Sequence, residues 1–343
     1  MSAPRTILIA AASGNIGREL IPLLASKPDI TLILPTRSAA RLHQNLPSLT
    51  TTDASPTTPN PAIITPEGDL SDPHWFQSLL TSHAVDTVFL CLHGAFSSEL
   101  DITLNALDAM ARAGCVKQCV YVSICGDFVS PQGIEKLTRN CSAGHMLVKI
   151  PIELKLKHGG YPFATTVLGP TLFFTNDYRC KTGLMKKEGE AWFDEPVDRT
   201  SRVSTRDIAQ VARNVIFPRP GQEGKYVGRK LQIGSLHQYS AAETAAIWST
   251  ALQKAVKPFG SGQDGAATKA DLDMMEVAKE GTWGPSFTRD VRLMYEAFLA
   301  MPGGFGMKEE EYGELVDCLG REAEGYEGWV GGVAEEWTRR VSE

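Results

Sequence analysis

Thr6-Ile7-Leu8-Ile9-Ala10-Ala11-Ala12-Ser13-Gly14-Asn15-Ile16-Gly17-Arg18-Glu19-Leu20 joins an apolar strand to a helix through a turn of small residues. Ile7, Leu8 and Ile9 form the continuous apolar run of a strand buried on both faces, and nothing from Ala10 to Gly14 is larger than serine. Ile16, Leu20, Leu23 and Leu24 then recur at helical spacing. A helix starting at Asn15 therefore directs its N–H groups and positive dipole end back at the turn, where a pyrophosphate fits. A dinucleotide fingerprint spaced G-x-x-G-x-x-G wants glycine at the positions of Ala11, Gly14 and Gly17, and this chain supplies the last two. Alanine at the first position is expected to keep φ negative. Ala12, Ser13, Gly14, Asn15, Ile16 and Gly17 are the candidate phosphate-binding residues. Two glycines also serve plain packing in any strand-turn-helix, so the following strand has to decide between the two readings.

Ile30, Leu32, Ile33 and Leu34 give that second strand, which ends at Thr36-Arg37-Ser38. Arg37 lies about twenty residues beyond Gly17, where a Rossmann fold reads the adenosine ribose. A carboxylate there bonds the 2′-hydroxyl of NAD, whereas an arginine pairs with a 2′-phosphate, so Arg37 points to NADP(H), with Arg41 one turn on. Pro47 to Pro66 is rich in Pro, Thr and Ser and reads as a loop. Asp69, at the next strand end, is a candidate acceptor for the adenine amino group. Asp72 caps a helix that has Pro73 at its first position and Trp75, Phe76, Leu79 and Leu80 on one face. Val85 to Leu92 is a fourth buried strand, and Leu92 and His93 open a loop on the cofactor edge. A helix over 98–113 closed by Gly114 and a fifth strand, Cys119 to Ile124, continue the alternation. Strand and helix in alternation predict an α/β fold of Rossmann type, a doubly wound parallel sheet with right-handed crossovers.

The 343 residues carry a net charge of −6, from 34 basic and 40 acidic side chains, and no basic cluster stands out. Nucleic acid has no electrostatic footprint to bind, and no apolar run is long enough to span a membrane. Seven cysteines, at 91, 115, 119, 125, 141, 180 and 318, show no metal-ligand spacing, and the seven histidines show no H-x-x-x-H pair. These features predict a reduced, cytoplasmic chain without a metal.

His145 to Thr175 holds Lys149, Glu153, Gly160, Tyr161, Pro170 and Phe173-Phe174 in an order that resembles the NmrA-like branch of the atypical short-chain dehydrogenases/reductases, relatives of isoflavone-type reductases. The N-terminal turn, Asp69, the strand CVYVSI and Arg202 to Ala212 extend the resemblance over roughly residues 5 to 260. It implies NADP(H) binding in a domain over 1–175, interwoven with a smaller substrate-binding and helical part over 176–343. It also implies that Lys149 is the general acid/base beside the nicotinamide; a lysine desolvated in a cleft has its proton affinity reduced. The Tyr-x-x-x-Lys pair of ordinary short-chain dehydrogenases is replaced, because His145 stands where that tyrosine would be. His145 is a candidate proton relay one turn before Lys149. Ser123, at the end of the fifth strand, is the candidate for the usual catalytic serine, although a one-residue shift puts Ile124 there.

Asn176 to Pro196 mixes aromatic and charged residues and reads as a lid. Tyr178, Trp192 and Phe193 are candidates to stack on a planar or aromatic small-molecule substrate, with Asp194 or Glu195 facing a cationic nitrogen. Three functions stay open at this point. One is an NADPH-dependent reductase of a C=N, C=O or C=C bond in secondary metabolism. Another is a redox-neutral enzyme guiding iminium formation or ring closure, and the third is a nucleotide-sensing regulator without turnover.

Overall fold

The structure, a computed structural model, describes residues 5–27, 29–46, 62–92, 98–186, 189–301 and 303–342. The chain opens with β1 (Arg5–Ile9), α1 (Asn15–Ala25), β2 (Ile30–Ile33), α2 (Ala39–Asn45), β3 (Ala62–Ile64) and α3 (Pro73–Ser82). It continues with β4 (Thr87–Leu90), α4 (Glu99–Ala113), β5 (Gln118–Val122), α5 (Pro131–Asn140), α6 (Gly144–Leu147) and α7 (Lys149–His158). Then come β6 (Ala164–Pro170), β7 (Leu172–Phe173), a 3-10 turn (Phe174–Cys180), α8 (Lys181–Leu184), β8 (Ala191–Trp192), β9 (Thr200–Val203) and α9 (Thr205–Ile216). The C-terminal part holds β10 (Arg229–Ile233), β11 (Gln238–Tyr239), α10 (Ala241–Leu252), β12 (Val256–Lys257) and four helices, α11 (Lys269–Trp283), α12 (Pro285–Ala300), α13 (Glu309–Leu319) and α14 (Tyr326–Ser342).

Seven strands form one sheet in the order β10-β6-β5-β4-β1-β2-β3. From β3 to β6 this is the 3-2-1-4-5-6 order of a dinucleotide-binding fold, with every pair from β2–β3 to β5–β6 parallel. Ile7, Leu8 and Ile9 have no exposed surface, as the unbroken apolar run requires of a central parallel strand. α3 begins as its residues dictate: Asp72 accepts from the N–H groups of His74 and Trp75, with Pro73 at the first helical position. α4 ends at Gly114, which takes the left-handed conformation at φ +70.

The chain divides into two compact units. The first takes 1–129, 148–169 and 205–231, so α9 packs on α1 in the nucleotide-type unit rather than with the C-terminal part. The second takes 130–147, 170–204 and 232–343. Its frame is a three-stranded sheet, β11-β9-β7, a parallel pair, β12-β8, and the later helices. Its core is aromatic: Trp248 stacks on Trp337 with centroids 5.3 Å apart, and Trp329 lies against Phe174, Tyr178 and Tyr326. Among the described residues, no helix is long and apolar enough to cross a membrane.

Candidate functional site

The turn after β1 is built by close approach of backbone to backbone. A β-carbon on Gly17 would lie 2.5 Å from the Ala12 carbonyl oxygen and 2.7 Å from that of Ala11, so only glycine fits there. At Gly14 the same test gives 3.1 Å to the Ala11 oxygen, and the Gly14 N–H donates to that oxygen across 2.9 Å. Arg18 Nε ties the turn further by donating to the Ser13 carbonyl, 2.8 Å away. Gly14 caps α1 in extended conformation, and its cap accepts no side-chain hydrogen bond. The first turn of α1 thus presents N–H donors and the positive end of the helix dipole, the two elements an anion uses. Ala11 departs from expectation: its φ is +57, the left-handed conformation that the fingerprint's first glycine takes freely and that costs an alanine about 1 kcal/mol.

Arg37 is exposed just beyond β2, and Thr36 bridges to Glu67 beyond β3. The Glu67 carboxylate is committed to the N–H of Ala39 at the start of α2, 2.7 Å away. Asp69 makes a turn, with Oδ1 accepting from the Ser71 N–H at 2.9 Å. The hydrogen bonds from Ser71 hold its carboxyl below the usual range, and the charge of Arg37 adds to this. Arg37 makes no ion pair or hydrogen bond among the described residues. Leu92 follows β4 partly buried against the core. His93 lies outside the described residues.

Lys149 opens α7 and is 6 % exposed. Its partner is not Glu153 one turn on; the ammonium pairs with Glu99, the first residue of α4, and also donates to the Tyr121 hydroxyl at 3.2 Å. Tyr121, on β5, donates to the same Glu99 oxygen at 3.0 Å. Burial, with the Glu99 charge, raises the Tyr121 pKa well above the ordinary phenol. Burial likewise pushes the nearby Cys91 thiol up to about 11, with Lys149 opposing and Glu99 adding to the rise. Glu99 Oε2 and Thr103 Oγ1, one turn apart on α4, are buried without a hydrogen-bond partner among the described residues.

Glu153, one turn after Lys149, serves a second cluster. Its Oε1 accepts from the Ser123 hydroxyl and, at 2.6 Å, from Lys230 Nζ on β10. Lys230 also stands 4.2 Å above the Phe128 ring. Burial raises the Glu153 pKa and lowers that of Lys230, and in each case the partner's charge opposes the shift. Two lysines and two glutamates thus balance in charge within the first unit, with Tyr121 and Ser123 bonded to the carboxylates.

The remaining candidates fall in the second unit, each with a different neighbour. His145, in the four-residue helix α6, pairs through Nδ1 with Asp290 on α12. Tyr178 is half exposed and rests against Trp329 and Trp337. Trp192 carries Lys186 over its ring at 4.7 Å. Phe193 is only 2 % exposed and sits in the core beside Arg202. Asp194 pairs with Lys279, and Glu195 pairs with Arg179 and accepts from the Tyr295 hydroxyl, so internal cations and a phenol hold these carboxylates. Glu99, Tyr121 and Lys230 escaped the sequence reading. A first-turn glutamate, a strand tyrosine and a strand-start lysine carry no local signal that they will be buried together. Among the described residues, no three His, Cys, Asp or Glu side chains gather as a metal would need.

The model of the NmrA-like family matches residues 3–259. No curated protein sequence matches the chain. Several solved structures share the fold. An NADPH-dependent quinone oxidoreductase from Escherichia coli, complexed with NADPH, superposes with a TM-score of 0.66 at 18 % identity, over 95 % of this chain and 99 % of that one. Triphenylmethane reductase from Citrobacter, complexed with NADP(H), gives a TM-score of 0.64 at 16 % identity, over 96 % and 99 % of the two chains. NmrA, a negative transcriptional regulator in complex with NADP, gives 0.65 at 13 % identity, over 100 % and 99 %.

Proposed function

Since this chain belongs to the NmrA-like family, we propose that it is an NADPH-dependent reductase of a small organic substrate with a C=N, C=O or C=C bond. The observation that carries the reading is Lys149, an ammonium buried at the head of α7 and held by Glu99 and Tyr121. The residues of the turn fit a dinucleotide: Gly14 and Gly17 let the turn pack closely on the start of α1, whose first N–H groups would meet the pyrophosphate. Arg37 would pair with a 2′-phosphate, and Asp69 would accept from the adenine amino group. When bound, NADPH supplies the hydride. The protein's part is then to deliver a proton to the atom that hydride addition leaves basic, and Lys149 is the donor. Glu99 holds the ammonium in place and Tyr121 keeps its hydroxyl against the same carboxylate, so the amine stays oriented after its proton has left.

One observation favours a second reading, in which the nucleotide is bound without being consumed. His145, standing where ordinary short-chain dehydrogenases carry their tyrosine, is tied to Asp290 in the second unit. With that proton donor missing, the nucleotide-binding fold can serve a redox-neutral enzyme or a nucleotide sensor. Titration with NADPH, NADP+, NADH and NAD+, then absorbance at the nicotinamide band over quinones, imines, enones and ketones, separates the readings. The expected result is preference for NADPH and its consumption on one substrate class. Lys149→Met should lower that turnover by about a hundredfold or more while nucleotide affinity stays within about threefold. NADPH bound but never consumed by any substrate would remove the reductase reading.

A further inference from the structure

Ser123 follows the last residue of β5, at the carboxyl edge where doubly wound sheets hold their ligands. Its backbone N–H is fixed to the Leu168 carbonyl at 2.7 Å. Its hydroxyl donates to Glu153 Oε1, and Lys230 donates to the same oxygen at 2.6 Å from the first strand beyond β6. A carboxylate oxygen that receives an ammonium proton stays an acceptor, which sets the direction of the serine's own proton. We propose that Lys230 is a positioning residue: through Glu153 it turns the Ser123 hydroxyl proton inward, so that Ser123 offers a bound ligand an acceptor oxygen and not a donor. The proposal rests on the reductase reading only in taking the carboxyl edge of β5 as the ligand's place.

The surroundings explain why the lysine is needed. Glu153 faces Lys230, Ser123 and, one turn away on its own helix, Lys149. Lys230 faces Glu153, Cys125 and Asp127, with the Phe128 ring beneath it. Burial works against the charged form of both Glu153 and Lys230, and the charge of each favours the charged form of the other. Without the ammonium, Glu153 takes up a proton at a higher pH. A protonated Glu153 donates, Ser123 accepts, and the hydroxyl that the ligand meets is reversed.

The test follows NADPH and NADP+ affinity, by nucleotide fluorescence and protein quenching, from mildly acid to alkaline pH in wild type, Lys230→Met, Lys230→Arg, Glu153→Gln and the double variant Lys230→Met/Glu153→Gln. Lys230→Met should gain a step of about tenfold between the acid and alkaline ends that wild type and Lys230→Arg lack. Glu153→Gln keeps an amide oxygen to which Lys230 and Ser123 donate and has no carboxyl to titrate, so it should follow wild type, and adding Lys230→Met to it should bring no step. Should Lys230→Met fail to fold, Lys230→Gln, neutral and polar, carries the test with the same expected step. A Lys230→Met profile that superposes on wild type, or a step that survives in the double variant, overturns the proposal. Wild type that binds neither nucleotide overturns the reductase reading instead.

Discussion

The two units bury charge by different chemistry. In the first, Lys149 meets Glu99 and Lys230 meets Glu153. In the second, Arg202, fully buried, pairs with Asp177 at 2.8 Å and lies 4.4 Å from the Tyr326 ring and 5.7 Å from that of Phe193. Tyr326 and Trp248 both donate to the other Asp177 oxygen. Burial alone would lower the Arg202 pKa, but the Asp177 charge more than reverses this and raises it. A guanidinium stacked on rings is a permanent charge with a planar face, whereas a buried ammonium is a point charge that can give up its proton. The lesson is that burial of a cation does not by itself mark chemistry. The first unit holds two buried ammonium–carboxylate pairs, and the second holds an electrostatic rivet for its aromatic core.

Arg202→Leu gives the largest expected break in that contrast. It leaves Asp177 buried without its cation and should cost about 3–5 kcal/mol of stability, measured by chemical denaturation. A cost below about 1 kcal/mol would class Arg202 with ordinary surface pairs and erase the distinction.

Glu195 sharpens it next, as the titrating member of the second unit. Burial raises its pKa from 4.5 to about 7, with Arg179 opposing the rise. The folded state therefore binds the Glu195 proton more tightly than the unfolded chain does. The stability this adds is fully present below the unfolded pKa of 4.5 and is lost as pH rises toward 7, a fall of about 3 kcal/mol. In Glu195→Gln the denaturation midpoint should lose most of its slope between those limits. An unchanged slope would mean that another group titrates.

The smallest effect concerns the first unit's surface. Arg37→Asp should weaken NADPH by about thirtyfold and leave NADH within a few fold, since a phosphate contact is exchanged for repulsion. Equal losses for both nucleotides would detach Arg37 from the ribose.

Much of the first unit was legible because its signals are local. Continuous apolar runs marked β1, β2 and β4, and Asp72-Pro73 marked the start of α3. Alternation of strand and helix foretold a doubly wound parallel sheet, while its strand order came from the structure. Lys149 was identified through family resemblance, but its partner was not: the fold supplies Glu99 from 50 residues away. Lys230 reaches Glu153 across 77 residues, a pairing that no window of sequence contains. The aromatic residues of 176–196 looked like a lid because exposure cannot be read from aromatic content. Phe193 turned out to be core, and Tyr178 rests on tryptophans of α14. The glycine-rich stretch after Met301 hid two helices, α13 and α14, whose burial comes from packing such as that of α14 on α10.

Ala11 carries a consequence for how a ligand is received. Glycine in the left-handed conformation has many neighbouring states to visit, while an alanine held at φ +57 occupies a narrow basin. The turn is therefore stiffer than the all-glycine fingerprint, and less of its shape is left to settle when an anion arrives. Strain of about 1 kcal/mol, present with or without a ligand, is exchanged for a smaller loss of freedom at the moment of capture. Preorganisation of this kind gives a nucleotide site whose affinity owes less to adjustment and more to a shape already set by folding.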